Sequence, residues 1–250
     1  MTRSAFVVPS LSEVNQLVEP IVLARDRTFP VVDELSELFE DRGIQRGSTI
    51  GVAGNAAVSL AVALSVGVSR SGGWVVAVGL PSVGSLAASE LGAELSRWAF
   101  IDRPGNQAGD VIHALAASVD LVLVGPDIKL RTGYGRRIVA RMRERGTSVI
   151  AVGNPRLFDS RVDLSLRIKQ AAWTGIGSGH GRLISRRVEI EATGRGANAS
   201  PRQQLLWLPD RKGRLSVIDR SEGLRNSSRS IRAENRKVFS ELAESTLRAS

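Results

Sequence analysis

The 250-residue chain contains no cysteine, two histidines, two methionines and one tyrosine. Without thiols there is no disulfide, no thiolate nucleophile and no cysteine-held zinc or iron–sulfur centre, a usage that suits a reducing compartment. His113 and His180 stand far apart, so no metal site is expected. Lysine is scarce, four residues against thirty arginines, and the first of them is Lys129. No apolar run approaches the roughly 20 residues of a membrane span. The opening MTRSAFVVPSLSEVNQ is too polar for a signal peptide. A soluble, cytoplasmic protein without a membrane partner is expected.

What is present is a divided charge. The net charge of +9 is the sum of −5 over residues 1–125 and +14 over residues 126–250. A basic second half implies an anionic partner, either nucleic acid or an acidic protein surface. The arginine bias also has a reading without function, as the product of a GC-rich genome.

The apolar pattern predicts an α/β fold. SLSEVNQLVE before Pro20 reads as a short helix, and Val31, Leu35, Leu38 and Phe39 give helical spacing from about 31 to 41. Strands are expected at TIGVAG, GWVVAVG, RWAFID, VDLVLVG and TSVIAVGN. Helices alternate with them at AAVSLAVALSVGVSRSG, SLAASELGAEL, QAGDVIHALAAS and YGRRIVARMRERG. That alternation specifies a mainly parallel sheet covered on both faces. From Val162 the period shortens to two, which predicts an antiparallel extension. Three regions follow: an N-terminal helical segment at 1–30, an α/β domain at 31–218, and a basic tail at 219–250.

The stretch STIGVAGNAAVSLAVALSVG has the strand–glycine turn–helix layout of a phosphate loop. The loop chemistry needs G-x-x-x-x-G-K-[ST], whose amides surround phosphates, whose lysine neutralises them and whose hydroxyl holds magnesium. Counting from Gly54 places Ser59, Leu60 and Ala61 where Gly, Lys and Ser/Thr belong. Taking Ser59 as the magnesium hydroxyl leaves the loop two residues short. Gly54, Asn55 and Ser59 therefore read as a degenerate nucleotide loop. The strand VDLVLVG ends on Gly125 where a magnesium-binding carboxylate would stand, and VVAVGLPSVG has no water-activating acid. Three independent losses point away from ATP hydrolysis. No catalytic residue and no cofactor is expected.

These segments, with ASELGAELSRWAFIDRP and DVIHALAASVDLVLVGPDIKL, resemble the core of RecA-like recombinases. RTFPVVDELSELFEDRGIQRGSTIGVAG and WTGIGSGHGRLISRRVEIEATGRG…RQQLLWLP resemble the actinobacterial ImuA-prime branch over roughly residues 25–218, with GSGHGRL as its most specific part. The resemblance implies a RecA-like, P-loop-NTPase-type domain with sheet order 3-2-4-5-1 and an antiparallel extension. It implies an accessory role in damage-induced mutagenic translesion synthesis, in the SOS response, and a nucleoid-associated location. The implied partner is a catalytically inactive Y-family polymerase homologue of the ImuB type, which bridges to the sliding clamp and an error-prone C-family polymerase. The C-terminal region is the implied contact, and Asn154 falls where RecA senses a γ-phosphate. Only PRLFDSR remains where a recombinase carries a long DNA-gripping loop.

The glycines of GIGSGHG (Gly175, Gly177, Gly179, Gly181) fit a hairpin turn better than a dinucleotide loop, since no helix follows. His180 in that turn and His113 on a helix carry no recognisable catalytic set. On YGRRIVARMRERG, Arg137, Arg141 and Arg145 are spaced one turn apart and Arg136 adjoins them. They suit DNA phosphates or an acidic partner, or simply form a solvated face. Arg186 and Arg187 are expected to line a basic strand edge with the same two partners. In the tail, Ile231, Val238, Phe239 and Leu242 offer apolar anchors beside Arg232 and Arg236, as in a segment that folds on a partner. The leading expectation is a non-enzymatic adaptor. A SulA-like regulator of a cell-division protein is a second class, and a DNA-binding ATPase a third. Direct DNA contact and homo-oligomerisation are left open.

Overall fold

The computed structural model describes residues 27–158, 161–175, 181–195 and 199–218. The expected helix at SLSEVNQLVE and the whole 219–250 tail lie outside these residues. The chain enters through β1 (Thr28–Pro30), a four-residue helix α1 (Asp33–Ser36) and β2 (Gly43–Gln45). β1 and β2 pair antiparallel as a separate two-stranded sheet, which the sequence pattern did not suggest. The helix expected over 31–41 is shorter than its apolar spacing implied. Leu38 N–H donates to Leu35 O and Phe39 N–H to Ser36 O, so the chain leaves α1 in tight i→i−3 turns. Leu35, Leu38 and Phe39 are nevertheless all buried.

The alternating segment then forms β3 (Thr49–Ala53), α2 (Ala57–Arg70), β4 (Val75–Val78), α3 (Ser85–Glu90), β5 (Trp98–Ile101), α4 (Ala108–Leu115), β6 (Leu121–Val124), α5 (Tyr134–Arg145) and β7 (Ser148–Val152). β4, β6 and β7 are buried at every position, as strands covered on both faces must be. The last four strands are β8 (Leu164–Trp173), β9 (Arg186–Gly194), β10 (Arg202–Trp207) and β11 (Ser216–Val217). The nine-stranded sheet runs β11-β10-β9-β8-β3-β7-β6-β4-β5. Its parallel part runs β5-β4-β6-β7-β3-β8: counted from β3, the first five strands take the order 3-2-4-5-1 expected from the resemblance, and β8 adds a sixth. One detail differs from the period-2 reading. β8 pairs parallel to β3 on one edge and antiparallel to β9 on the other, so the switch of direction lies after β8, at the glycine-rich hairpin.

Two apolar layers flank the sheet. Ile112, Ile138, Met142 and Phe158 cover one face together with Val76, Val122 and Val149. On the other face α2 supplies Leu60, Leu64 and Val68. α2 is apolar nearly all round, and ten of its fourteen residues are buried; such a helix must be covered on more than its sheet side. β1 provides part of that cover: a Cβ at Gly67 of α2 would lie 2.2 Å from Pro30 O. Val188, Ile190, Leu206, Leu208 and Leu215 join the same layer. Arg202 Nη2 pairs with Glu40 Oε2 at 2.8 Å, and Gln204 Nε2 donates to Glu34 O at 2.6 Å. The antiparallel extension is thus tied to the N-terminal segment at and after α1.

Candidate functional site

The strand–turn–helix at the carboxyl end of β3, the expected degenerate nucleotide loop, is joined by a short turn. Only Gly54, Asn55 and Ala56 separate Ala53 of β3 from Ala57 of α2. Gly54 (φ +108°) and Ala56 (φ +96°) are both left-handed. Ala57 N–H donates to Gly54 O (3.1 Å) and Leu60 N–H to Ala56 O (3.0 Å), so the first helical amide closes the turn on itself. A Cβ at Gly54 would lie 2.6 Å from Ile168 O of β8. Gly54 and Asn55 are exposed and Ser59 is half-buried.

The neighbouring strand ends are also closed. A Cβ at Gly125, the tip of β6, would stand 1.8 Å from the Gly79 carbonyl oxygen at the tip of β4. A side chain at that position would collide with backbone, which leaves no room for a carboxylate. Asp127, two residues on, is exposed. After β7, Gly153 (φ +76°) packs on Pro126, and Asn154 Oδ1 accepts Arg156 N–H at 3.2 Å. Asn154 therefore shapes its own turn.

The predicted basic residues fall in two places. On α5, Arg136 and Arg137 are exposed. Arg137 sits 6.0 Å from the Tyr134 ring centroid. The Tyr134 hydroxyl donates to Asp110 Oδ1 at 2.8 Å; that bond and the Asp110 charge raise the phenol's pKa above its ordinary value. Arg145 approaches Glu144 at 3.8 Å. Arg141 is half-buried with a buried Nε lacking a hydrogen-bond partner. It is thus less available than its spacing suggested.

Arg186 and Arg187 do not form a strand edge. β9 is hydrogen-bonded on both sides, to β8 and to β10, and successive side chains take opposite faces. Arg186 is 9% exposed. Its Nε donates to Leu208 O at 2.8 Å, and its guanidinium lies 4.9 Å from the Trp173 ring centroid. Burial pushes its pKa down. Arg187 is half-buried on the other face. Gly175 and Arg182 close the ends of the β8–β9 hairpin, with Arg182 N–H donating to Gly175 O at 3.0 Å. His180 and the tail residues Ile231, Arg232, Arg236, Val238, Phe239 and Leu242 lie outside the described residues.

One site was not read from the sequence. An open cavity of about 740 Å³ lies where the crossover from β7 to β8 meets the end of β9. Arg156, Arg161 and Arg195 line it together with Pro155, Val162, Ser165 and Thr193. The β8–β9 register assembles it by pairing Leu164 with Gly194 and Ser165 with Thr193. The arginines come from segments some forty positions apart and share no period. Asp163 anchors the rim. Its Oδ2 accepts from Thr49 N–H and Thr49 Oγ1, both at 2.8 Å. Its Oδ1 lies 3.7 Å from Arg143 and 3.6 Å from Arg195. Among the described residues, no group of three or more His, Cys, Asp and Glu side chains is placed to hold a metal ion.

The sheet order and the helical layers define a RecA-like α/β protein. In agreement, the fold superposes on the crystal structure of the RadB recombinase with a TM-score of 0.56 and 14% identity, covering 77% of this chain and 100% of that one. It superposes on the flagellar accessory protein FlaH from Methanocaldococcus jannaschii with a TM-score of 0.53 and 12% identity, covering 77% and 99%. At this identity the likeness is one of fold. Residues 37–156 match the family model of the MT3502 N-terminal domain. An uncharacterized protein of Mycobacterium tuberculosis (strain ATCC 25618 / H37Rv), Rv3395c, is 37% identical over 103 residues, 41% of this chain. The match spans half the length of that relative.

Proposed function

We propose that the protein is a non-enzymatic adaptor of damage-induced mutagenic translesion synthesis: a RecA-fold pseudo-ATPase that binds a catalytically inactive Y-family polymerase homologue and through it the sliding clamp and an error-prone polymerase. The observation that carries the non-enzymatic part is the closed carboxyl edge. The turn at Gly54–Ala56 is self-bonded, and Gly125 admits no side chain. No lysine precedes Lys129. A RecA fold with that edge closed retains surfaces rather than chemistry, and the sequence resemblance supplies the pathway.

The test is copurification from damaged cells with tagged full-length chain and with a chain ending at residue 218. Recovery of the polymerase homologue with the full chain and its loss with the shortened one is the expected result. Recovery of other partners only, or magnesium-dependent ATP hydrolysis by the purified protein, would refute the reading.

A further inference from the structure

We propose that the free edge of β5 pairs with the same edge of a second copy of this chain, joining the two large sheets across a two-fold axis. The inference does not rest on the adaptor reading, and its test reads assembly of the chain with itself rather than capture of another protein.

The two edges of the sheet are built differently. β11 is two residues long, and a short edge strand resists pairing with another chain. β5 runs four residues, Trp98 to Ile101, and among the described residues it pairs only with β4. It carries none of the charges, prolines or bulges that blunt an edge. Two of its side chains are left unfinished. Phe100 is 41% exposed. Trp98 Nε1 is buried with no hydrogen-bond partner, a cost that an acceptor brought by a second copy would offset.

The register follows from the ladder. Gly79 N–H donates to Ile101 O at 2.8 Å, so Ile101 and, by alternation, Ala99 turn their backbone groups toward β4. The N–H and C=O groups of Trp98 and Phe100 therefore point to the free side. A two-fold axis normal to the sheet makes the two strands antiparallel and keeps each face continuous. Residues of like parity then stand opposite one another. Both conditions are met with Ala99 on the axis, where Trp98 exchanges its backbone hydrogen bonds with Phe100 of the partner subunit. Centring on Trp98 or Phe100 instead leaves the other opposite a position outside β5. Trp98 and Phe100 share a face, with ring centroids 5.6 Å apart, so the pairing joins them in cross-strand aromatic contacts. Charge selects a second copy as the occupant. The chain carries +9, yet over residues 94–103 Glu94 and Asp102 balance Arg97 and Arg103, so copy meets copy at a neutral edge.

The chain has no cysteine, so an introduced one reports its own contacts. Ala99 would face Ala99 of the partner subunit as a non-hydrogen-bonded pair, about 4.5 Å between Cα atoms, within reach of a disulfide. Mild oxidation of the full chain is expected to give an intermolecular disulfide with Ala99→Cys. It should give none with Val217→Cys, which is 53% exposed on β11. Sedimentation equilibrium should show monomer and dimer with half assembly on the order of 10 µM, as suits a short interface. Phe100→Lys should weaken the dimer about tenfold or more. Thermal melting of each reduced variant separates loss of pairing from loss of fold. Monomer alone at about 200 µM would overturn the pairing, as would a dimer indifferent to Phe100→Lys. So would a folded Ala99→Cys variant that forms no disulfide, or equal crosslinking by Val217→Cys. Assemblies that grow past the dimer with concentration would show an open head-to-tail contact in place of the closed two-fold one.

Discussion

At the scale of single residues, the turn after β3 and the tip of β6 are set by backbone conformation and close approach. Ala56 holds a left-handed conformation that costs an L-residue about 1–2 kcal/mol. Ala56→Gly should therefore raise stability by about 0.5–1 kcal/mol after the entropy of glycine is counted, read as a higher urea midpoint. Gly125→Ala should do the reverse. Its Cβ would overlap the Gly79 carbonyl, and overpacking against backbone costs about 3 kcal/mol or more. Tyr134 provides an alkaline reporter because it is the chain's one tyrosine. Its pKa is raised, first by the hydrogen bond to Asp110, so the folded state favours the neutral phenol. The resulting stabilisation is present below the unfolded phenol's pKa and is lost as pH rises through the folded value. Tyrosinate absorbance should appear at higher pH than in the unfolded chain, and Asp110→Ala should bring the two together. The missing acid at position 125 was legible by counting. The pinch that forbids one was not, because it depends on a long-range approach of the β4 and β6 tips.

At the scale of elements, the apolar runs of β3, β4, β6 and β7 and the small-residue helix α2 were legible because burial on all sides leaves no polar positions. Three features were hidden for physical reasons. The β1–β2 pair is three residues a side, too short to show a period. β8 alternates like an antiparallel strand, yet pairing direction leaves no trace in alternation. The run at Val31–Phe39 has helical spacing, but only Asp33–Ser36 is helical and the backbone beyond follows turns. Arg186 belongs to the same scale, since it ties β9 to the end of β10. None of the ion pairs among the described residues includes it, so the desolvated charge itself adds little. Arg186→Met should keep the packing on Trp173 but lose the Nε hydrogen bond to Leu208 O, and cost about 1–2 kcal/mol. Arg186→Ala leaves a hole beside Leu208 and should cost about 3 kcal/mol. Equal losses from the two, measured by chemical denaturation, would show that the charge matters more than the volume.

At the scale of the whole molecule, the charge division seen in the sequence becomes spatial. The tail at 219–250 carries seven basic and five acidic residues, whereas 126–218 carries nineteen and seven. Most of the basic surplus therefore belongs to the part containing α5 and the arginine cavity. The tail carries little of it, and its expected anchors Ile231, Val238, Phe239 and Leu242 are apolar. The described fold is tied down to its last residues: Leu215 and Ile218 are buried, and Ile218 N–H donates to Leu205 O at 2.9 Å. A chain ending at 218 should melt within a few degrees of the full one, since it forfeits no described core contact. It should also keep any affinity for polyanions, with the steep salt dependence that counterion release requires. Loss of the polymerase homologue by that same chain would then assign the tail to the protein partner and the basic half to an anion. If truncation instead abolished anion binding and spared the protein partner, the two surfaces would have to exchange roles.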